Sequence, residues 1–410
     1  MTFDQFSVLR LPREVVFGDG QLKAIGQIAA KFGKRALICT DERFATTPVF
    51  AEIKNLLEAS GITFHVFDRV APDVPSENVY ECVAAARPFA PDMVIGLGGG
   101  SCLDMAKCAS LILTHGGKLE DYYGEFKIPS AVLPIIAVPT TAGTGSEVTP
   151  VAVISDSNRT LKVGISSPYL VAAAAICDPE LTLTCPPGLT AIAGADALTH
   201  AIEACTALRR VPDSNLPQQH VFVGKNEFSD MFALKAIKLI GRSLVTAFND
   251  GTNKQARSDL MLGSLCAGAA FAAAGTSLAH ATQYPIGALT HTAHGLGVAA
   301  MLPYAMTFNR KAALQDMADV AIALGADANG RTTEELSHEA IKRVKELCLQ
   351  VKIPASLKDL GLAAEKIDWT AEQAIGIGRL VKNNPRAIDL PVMTALLQAA
   401  FEGDFLAAAQ

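Results

Sequence analysis

Asp196 and His200 stand four residues apart in a segment, Ala191–Ala204, whose apolar positions recur at helical period. That spacing puts both side chains on one helix face. A carboxylate and an imidazole so placed can grip a divalent cation, or they can form an ordinary polar pair. Two further histidines, His280 and His294, each fall near an expected helix end in alanine- and glycine-rich surroundings. The four together offer three imidazoles and one carboxylate. Such a set suits Fe²⁺ or Zn²⁺ and leaves a coordination position for a substrate oxygen. His291 competes with His294, and spacing does not choose between them. His65, His115, His220 and His338 read as surface or packing residues.

A second chemistry is written in the run Gly96-Leu97-Gly98-Gly99-Gly100-Ser101-Cys102-Leu103-Asp104, which follows an expected strand and opens an expected helix. Glycines there let backbone N–H groups approach an anion, and the helix start adds partial positive charge, so a pyrophosphate is the natural guest. The run is neither of the two common phosphate motifs. Ser101 stands where the dinucleotide fingerprint has its third glycine, and the Gly-Lys-Ser/Thr of Walker A is absent. Asp41, just after the apolar run Arg35–Thr40, is placed to accept hydrogen bonds from a ribose if both strands end at one sheet edge. Its charge would then favour NAD over NADP. A polar loop from Pro139 to Glu147, with Thr140, Thr141 and Thr144, follows another strand-like run and suits the sugar and phosphates of the same ligand.

These groups need a scaffold, and the two halves of the chain supply different ones. Arg35–Thr40, Thr63–Phe67, Met93–Leu97 and Ile135–Val138 read as buried strands. They alternate with helical patterns at Gln21–Phe32, Phe50–Ser60 and Ser76–Ala90. Such alternation predicts a mostly parallel sheet with helices on both faces. After Pro186-Pro187 strand-like runs become scarce, and Thr190–Leu208, Ser229–Leu244, Ala256–Ala274, Ala312–Leu324 and Thr333–Leu349 read as helices. The expected division is an α/β dinucleotide-binding domain at 1–187 and an all-helical metal-binding and substrate domain at 188–410. Arg209–Asn226 reads as a surface excursion.

The chain has 410 residues, half of them apolar and 19% charged, enough to bury more than one sizeable core. With 35 basic and 41 acidic residues the net charge is 35 − 41 = −6, which offers no general attraction for nucleic acid. Nine cysteines without paired spacing read as reduced thiols. The N-terminus shows no basic stretch leading into an apolar core, so no signal peptide is expected. No apolar run nears the ~20 residues that span a bilayer. A soluble cytoplasmic protein without membrane or nucleic-acid partners is the expectation.

Taken in order, Asp41, GGGSCLDMAK at 98–107, PTTAGTGSEVT at 139–149, GADALTHAIEA at 194–204, HATQYPIG at 280–287 and HTAHGLG at 291–297 resemble the iron-containing (group III) alcohol dehydrogenases, over essentially the whole chain. The resemblance implies the dehydroquinate synthase-like, group III architecture, with the active site in the cleft between an α/β nucleotide domain and a helical metal domain. The family's metal ligands fall on Asp196, His200, His280 and His294, the fourteen-residue step to the last setting His291 aside. Its cofactor positions fall on Asp41, Gly98, Gly99, Ser101, Asp104, Thr140, Thr141, Thr144, Lys162 and Leu189. Implied with these are NAD, Fe²⁺ or alternatively Zn²⁺, a primary alcohol and aldehyde pair whose oxygen the metal polarises, and a homodimer. One position departs from the pattern. Tyr284 stands where many members carry a histidine assigned to proton relay. A phenol of pKa ~10 is a poor proton acceptor near neutrality, so Tyr284 is expected to shape the pocket or donate a hydrogen bond. The alternative is a hydroxyacid–oxoacid transhydrogenase that holds its nicotinamide tightly. A lyase like dehydroquinate synthase ranks lower, because its metal set typically has a glutamate where Asp196 stands.

Overall fold

The computed structural model describes residues 6–409; residues 1–5, on which part of the N-terminal reading rests, lie outside the described residues. Two compact units are present. One comprises Arg10–Thr184 with Gln218–Val221; the other takes in the rest of the chain from Cys185 onward and the few described residues before Arg10.

The first unit is built on a six-stranded, all-parallel sheet in the order β1 (Glu14–Phe17), β9 (Ala174–Cys177), β6 (Ile135–Pro139), β4 (Met93–Gly98), β2 (Arg35–Cys39) and β3 (Thr63–Phe67). A small three-stranded sheet of β5 (Gly124–Glu125), β8 (Val163–Ser166) and β7 (Val151–Ile154) accompanies it. Side-chain alternation explains why the strands read as unbroken apolar runs. Ala36, Ile38, Ile95, Leu97, Ile136 and Val138 enter one core with Phe50, Ile53 and Leu57 of α1 (Pro48–Ala59). Leu37, Cys39, Val94, Ile135 and Ala137 enter the other, against α2 (Ser76–Ala86) and α3 (Gly100–His115). A sheet covered on both faces has no polar side to show. β1 and β9 escaped the sequence reading for opposite reasons. β1 is a short edge strand with Val15 exposed, and β9 lies in an alanine run whose one β-branched residue within the strand is Ile176.

The second unit contains helices and no strand among the described residues: α4 (Pro187–Thr206), α5 (Glu227–Asn249), α6 (Lys254–Ala274), α7 (Leu278–Thr290), α8 (His294–Asn309), α9 (Leu314–Ala323), α10 (Thr333–Gln350), α11 (Ile367–Gly376) and α12 (Leu390–Glu402), with shorter turns between. α4 is buried along most of its length, and its burial includes the polar side chains Asp196, His200 and Glu203. Glycines let its neighbours in: a Cβ on Gly295 of α8 would lie 2.7 Å from Ile192 O and 2.9 Å from Asp196 Cβ. α7 and α8 each run through a proline, Pro285 and Pro303, which obscures a helical reading.

The surface excursion expected at Arg209–Asn226 needs correction. After a one-turn helix, Leu216–Gln219, the run Val221–Val223 is buried. Val221 N donates to Glu125 Oε2 at 2.6 Å and Val221 O accepts from Arg10 Nη1 at 2.8 Å. Asn226 is buried too, where its side chain caps α5 by accepting from Phe228 N and Ser229 N. The polar residues before this run masked its Val-Phe-Val centre. All nine cysteines are free and buried. No single helix among the described residues is long and apolar enough to cross a membrane.

Candidate functional site

In the helical unit, α4 carries Asp196 and His200 on one face. His280 sits in the first turn of α7 and His294 opens α8. Asp196 Oδ1 lies 3.7 Å from His280 Nε2 and 3.8 Å from His200 Nε2. The rings of His200 and His280 stack with centroids 4.7 Å apart, and those of His280 and His294 lie at 5.4 Å. Phe271 closes the other side of His200 at 4.4 Å. Ligand atoms from Asp196, His280 and His294 all fall within 4.8 Å of one another; His200 stands beside that set, through the same Asp196 oxygen, and outside it.

These residues fit a divalent cation. Bonds of about 2.1 Å place neighbouring ligand atoms roughly 3.0–3.4 Å apart, and the distances to Asp196 are a few tenths wider. His280 is 4% exposed, and its buried Nε2 makes no hydrogen bond among the described residues. A buried nitrogen left so is unfavourable unless something else takes its lone pair. Its other nitrogen, Nδ1, lies 2.6 Å from Oε2 of Glu203, a buried residue that the sequence reading passed over. The signal was available: Glu203 follows His200 by three and Asp196 by seven, on the same helix face. His291 is exposed at the C-cap of α7 with φ 55°, away from this cluster. Tyr284, one turn after His280, is half-buried with its ring 6.0 Å from that of His294.

In the α/β unit, β2, β4 and β6 are parallel neighbours, so Asp41, Gly98–Ser101 and Thr140–Thr144 gather at one sheet edge. Asp41 accepts from Phe44 N at 2.9 Å through Oδ1, while Oδ2 faces Cys102 Sγ at 3.9 Å. Gly98 has φ 147°, and a Cβ there would come within 2.5 Å of Cys102 Sγ; Gly98 O accepts from Thr140 N at 2.9 Å. Gly100 is pressed equally closely by Thr144, with a Cβ 2.7 Å from Thr144 Cγ2, and Thr141 flanks Gly99. No side chain among the described residues caps the start of α3, which leaves its first N–H groups for an anion.

Ser101 Oγ accepts from Asp73 N at 3.2 Å, and Lys162 pairs with Asp73 at 2.5 Å. Asp104 faces inward: its oxygens accept from Ser146 Oγ at 2.6 Å and Val153 N at 2.9 Å, which ties the glycine loop to the threonine loop. Behind it Lys107 is fully buried, donating to Ser146 Oγ, Thr149 O and Val151 O at 2.7–3.0 Å. Burial pushes its pKa down to about 8 and lifts that of neighbouring Glu147 to about 7. Leu189 lies in the first turn of α4, in the helical unit.

Comparison with known proteins matches residues 12–179 to the iron-containing alcohol dehydrogenase family and 217–401 to the C-terminal part of the same family. A long-chain-alcohol dehydrogenase of Geobacillus thermodenitrificans is 37% identical over 91% of this chain and 90% of its own. An NAD-dependent methanol dehydrogenase of Bacillus methanolicus is 31% identical over 95% and 98%. Among solved structures, a 1,3-propanediol oxidoreductase superposes with a TM-score of 0.90 at 32% identity, covering 97% of this chain and all of that one.

Proposed function

The chain belongs to the iron-containing alcohol dehydrogenase family and is an alcohol dehydrogenase, and we propose that it couples NAD to a primary alcohol and aldehyde pair. The observation that carries the metal half of this reading is the convergence of Asp196, His280 and His294 from three separate helices. Asp196, His200, His280 and His294 would hold Fe²⁺, with Zn²⁺ the alternative that the same donors accept. A cation there supplies Lewis-acid polarisation of an alcohol or carbonyl oxygen, and the nicotinamide supplies or accepts the hydride.

The chain's own residues do the binding and orienting. Asp41 offers a carboxylate to ribose hydroxyls and repels a 2′-phosphate, which favours NAD. Backbone N–H groups of Gly98, Gly99 and Ser101 cradle the pyrophosphate at the start of α3. Thr140, Thr141, Thr144, Lys162 and Leu189 flank the rest of the cofactor. Asp104, held inward by Ser146 and Val153, keeps the two loops in register. Tyr284 lines the pocket and donates a hydrogen bond, leaving proton transfer to water. On this reading residues 1–187 serve the nucleotide and 188–410 the cation and substrate. The homodimer rests on the family resemblance and the cytoplasmic location on nine cysteines read as reduced thiols; sedimentation of the purified protein tests the first.

A panel of primary alcohols and aldehydes, followed by NADH absorbance with metal assayed in the same preparation, tests the proposal. Turnover should track metal content. Full activity in a metal-free preparation overturns the metal role, and turnover without added NAD from an alcohol plus an oxo acid would restore the transhydrogenase alternative.

A further inference from the structure

Glu203 lies seven residues after Asp196 on the same face of α4 and is 3% exposed. Its carboxylate reaches across to the start of α7. Oε1 accepts from Ala279 N at 2.6 Å, and Oε2 accepts from Ser277 N at 2.9 Å while lying 2.6 Å from His280 Nδ1. A carboxylate offers only acceptors, so at 2.6 Å the imidazole has to bring the hydrogen. That places the proton on Nδ1 and the lone pair on Nε2, the nitrogen that faces Asp196 Oδ1 at 3.7 Å. The same carboxylate occupies the N-terminus of α7, where Ser277 provides no side-chain cap of its own. Two N–H groups at that start thereby gain acceptors, and the positive end of the helix gains a negative charge.

We propose that Glu203 is the positioning residue of the cation site: it holds His280 as the Nδ1–H tautomer and fastens the start of α7 to α4, so that His280 Nε2 and Asp196 address one ion. The inference rests on the metal reading above and adds the group that orients one of its ligands. A helix cap with no bearing on His280 is the competing account, and it predicts a loss of stability with the imidazole unchanged. The Glu203→Gln variant separates the two. An amide has one acceptor and one donor head, so it cannot serve both backbone N–H groups and Nδ1–H together. The Nε2–H tautomer, which cannot ligate, becomes populated.

The test has two arms. In the first, metal-free wild-type protein with ¹⁵N-labelled histidine is examined by long-range ¹H–¹⁵N correlation, with His280 assigned from the spectrum of His280→Asn. A single Nδ1–H form is expected, and an Nε2–H form or an even mixture overturns the proposal without any variant at position 203 having to fold. In the second, Co²⁺ is titrated into metal-free wild type and Glu203→Gln while its visible absorption is followed. Affinity should fall about 10–100-fold in the variant, the range for outer partners of metal-bound histidine. Wild type that binds one Co²⁺ while Glu203→Gln binds within twofold overturns the proposal alone. Wild type that binds no Co²⁺, or His280→Asn that binds it as well as wild type, removes the metal reading and this proposal with it.

Discussion

A single oxygen, Asp196 Oδ1, faces two imidazole nitrogens at 3.7 and 3.8 Å. Asp196→Ala and His294→Ala should each lower metal affinity by more than the ~100-fold upper range for outer partners, with kcat/KM falling in step; metal analysis after dialysis and steady-state kinetics check both. Normal metal content in either variant would count against that residue as a ligand. Asp41→Gly removes the charge expected to exclude a 2′-phosphate. The ratio of kcat/KM for NAD over NADP should drop by about tenfold or more, and an unchanged ratio would remove the ribose role. Tyr284→Phe deletes one phenolic hydroxyl, so a loss below about tenfold in kcat is expected, the scale of one neutral hydrogen bond. A near-total loss would make the phenol part of the proton path.

Helices, more than single residues, bring the site together. Gly295 is small because α8 crosses α4 at Ile192 and Asp196, one residue from His294. Gly295→Ala forces that crossing apart and is expected to destabilise the protein by about 1–3 kcal/mol while weakening metal binding; thermal unfolding and metal retention measured on one preparation check the pair. This geometry also marks where the sequence stops being legible. Asp196 and His200 could be paired because helical period puts i and i+4 on one face. His280 and His294 start helices far along the chain, where Pro285 and Pro303 break the usual signal; their residue types proposed them as partners of α4, and the family resemblance was needed to set His291 aside. The glycine loop was legible because a strand, a glycine run and a helix follow one another directly. Asp41 and the threonine loop could be named as its partners only on the condition that their strands end beside it, since the order of parallel strands is a long-range property. Glu203 was missed for a simpler reason: an acidic residue in a helix reads as a solvated face until burial is known.

At the scale of the whole molecule, the α/β unit keeps a lysine and two carboxylates behind its nucleotide loops, and this has a pH signature. Glu147, raised to about 7, binds more protons folded than unfolded above its ordinary value of 4.5. Its contribution to stability is therefore greatest at low pH and falls as pH rises from about 4.5 to 7, by a few kcal/mol at most. Lys107, lowered to about 8 from 10.5, acts in a later window: stability recovers as pH climbs through that interval, because the unfolded chain there binds the extra proton. Glu147→Gln should consequently flatten the decline between pH 5 and 7, as read from denaturant midpoints of wild type and variant across that range. A decline of equal slope in both would assign it elsewhere.

The nine sequestered thiols also give the protein a built-in reporter. Burial holds Cys102, Cys108 and Cys177 well above the ordinary thiol range, and only the thiolate attacks an alkylating reagent. A maleimide mixed with the intact enzyme should therefore find almost nothing to modify. Mass added over time would count openings of the interior, and a peptide map of the first-labelled sites would reveal which unit yields first, since both hold thiols.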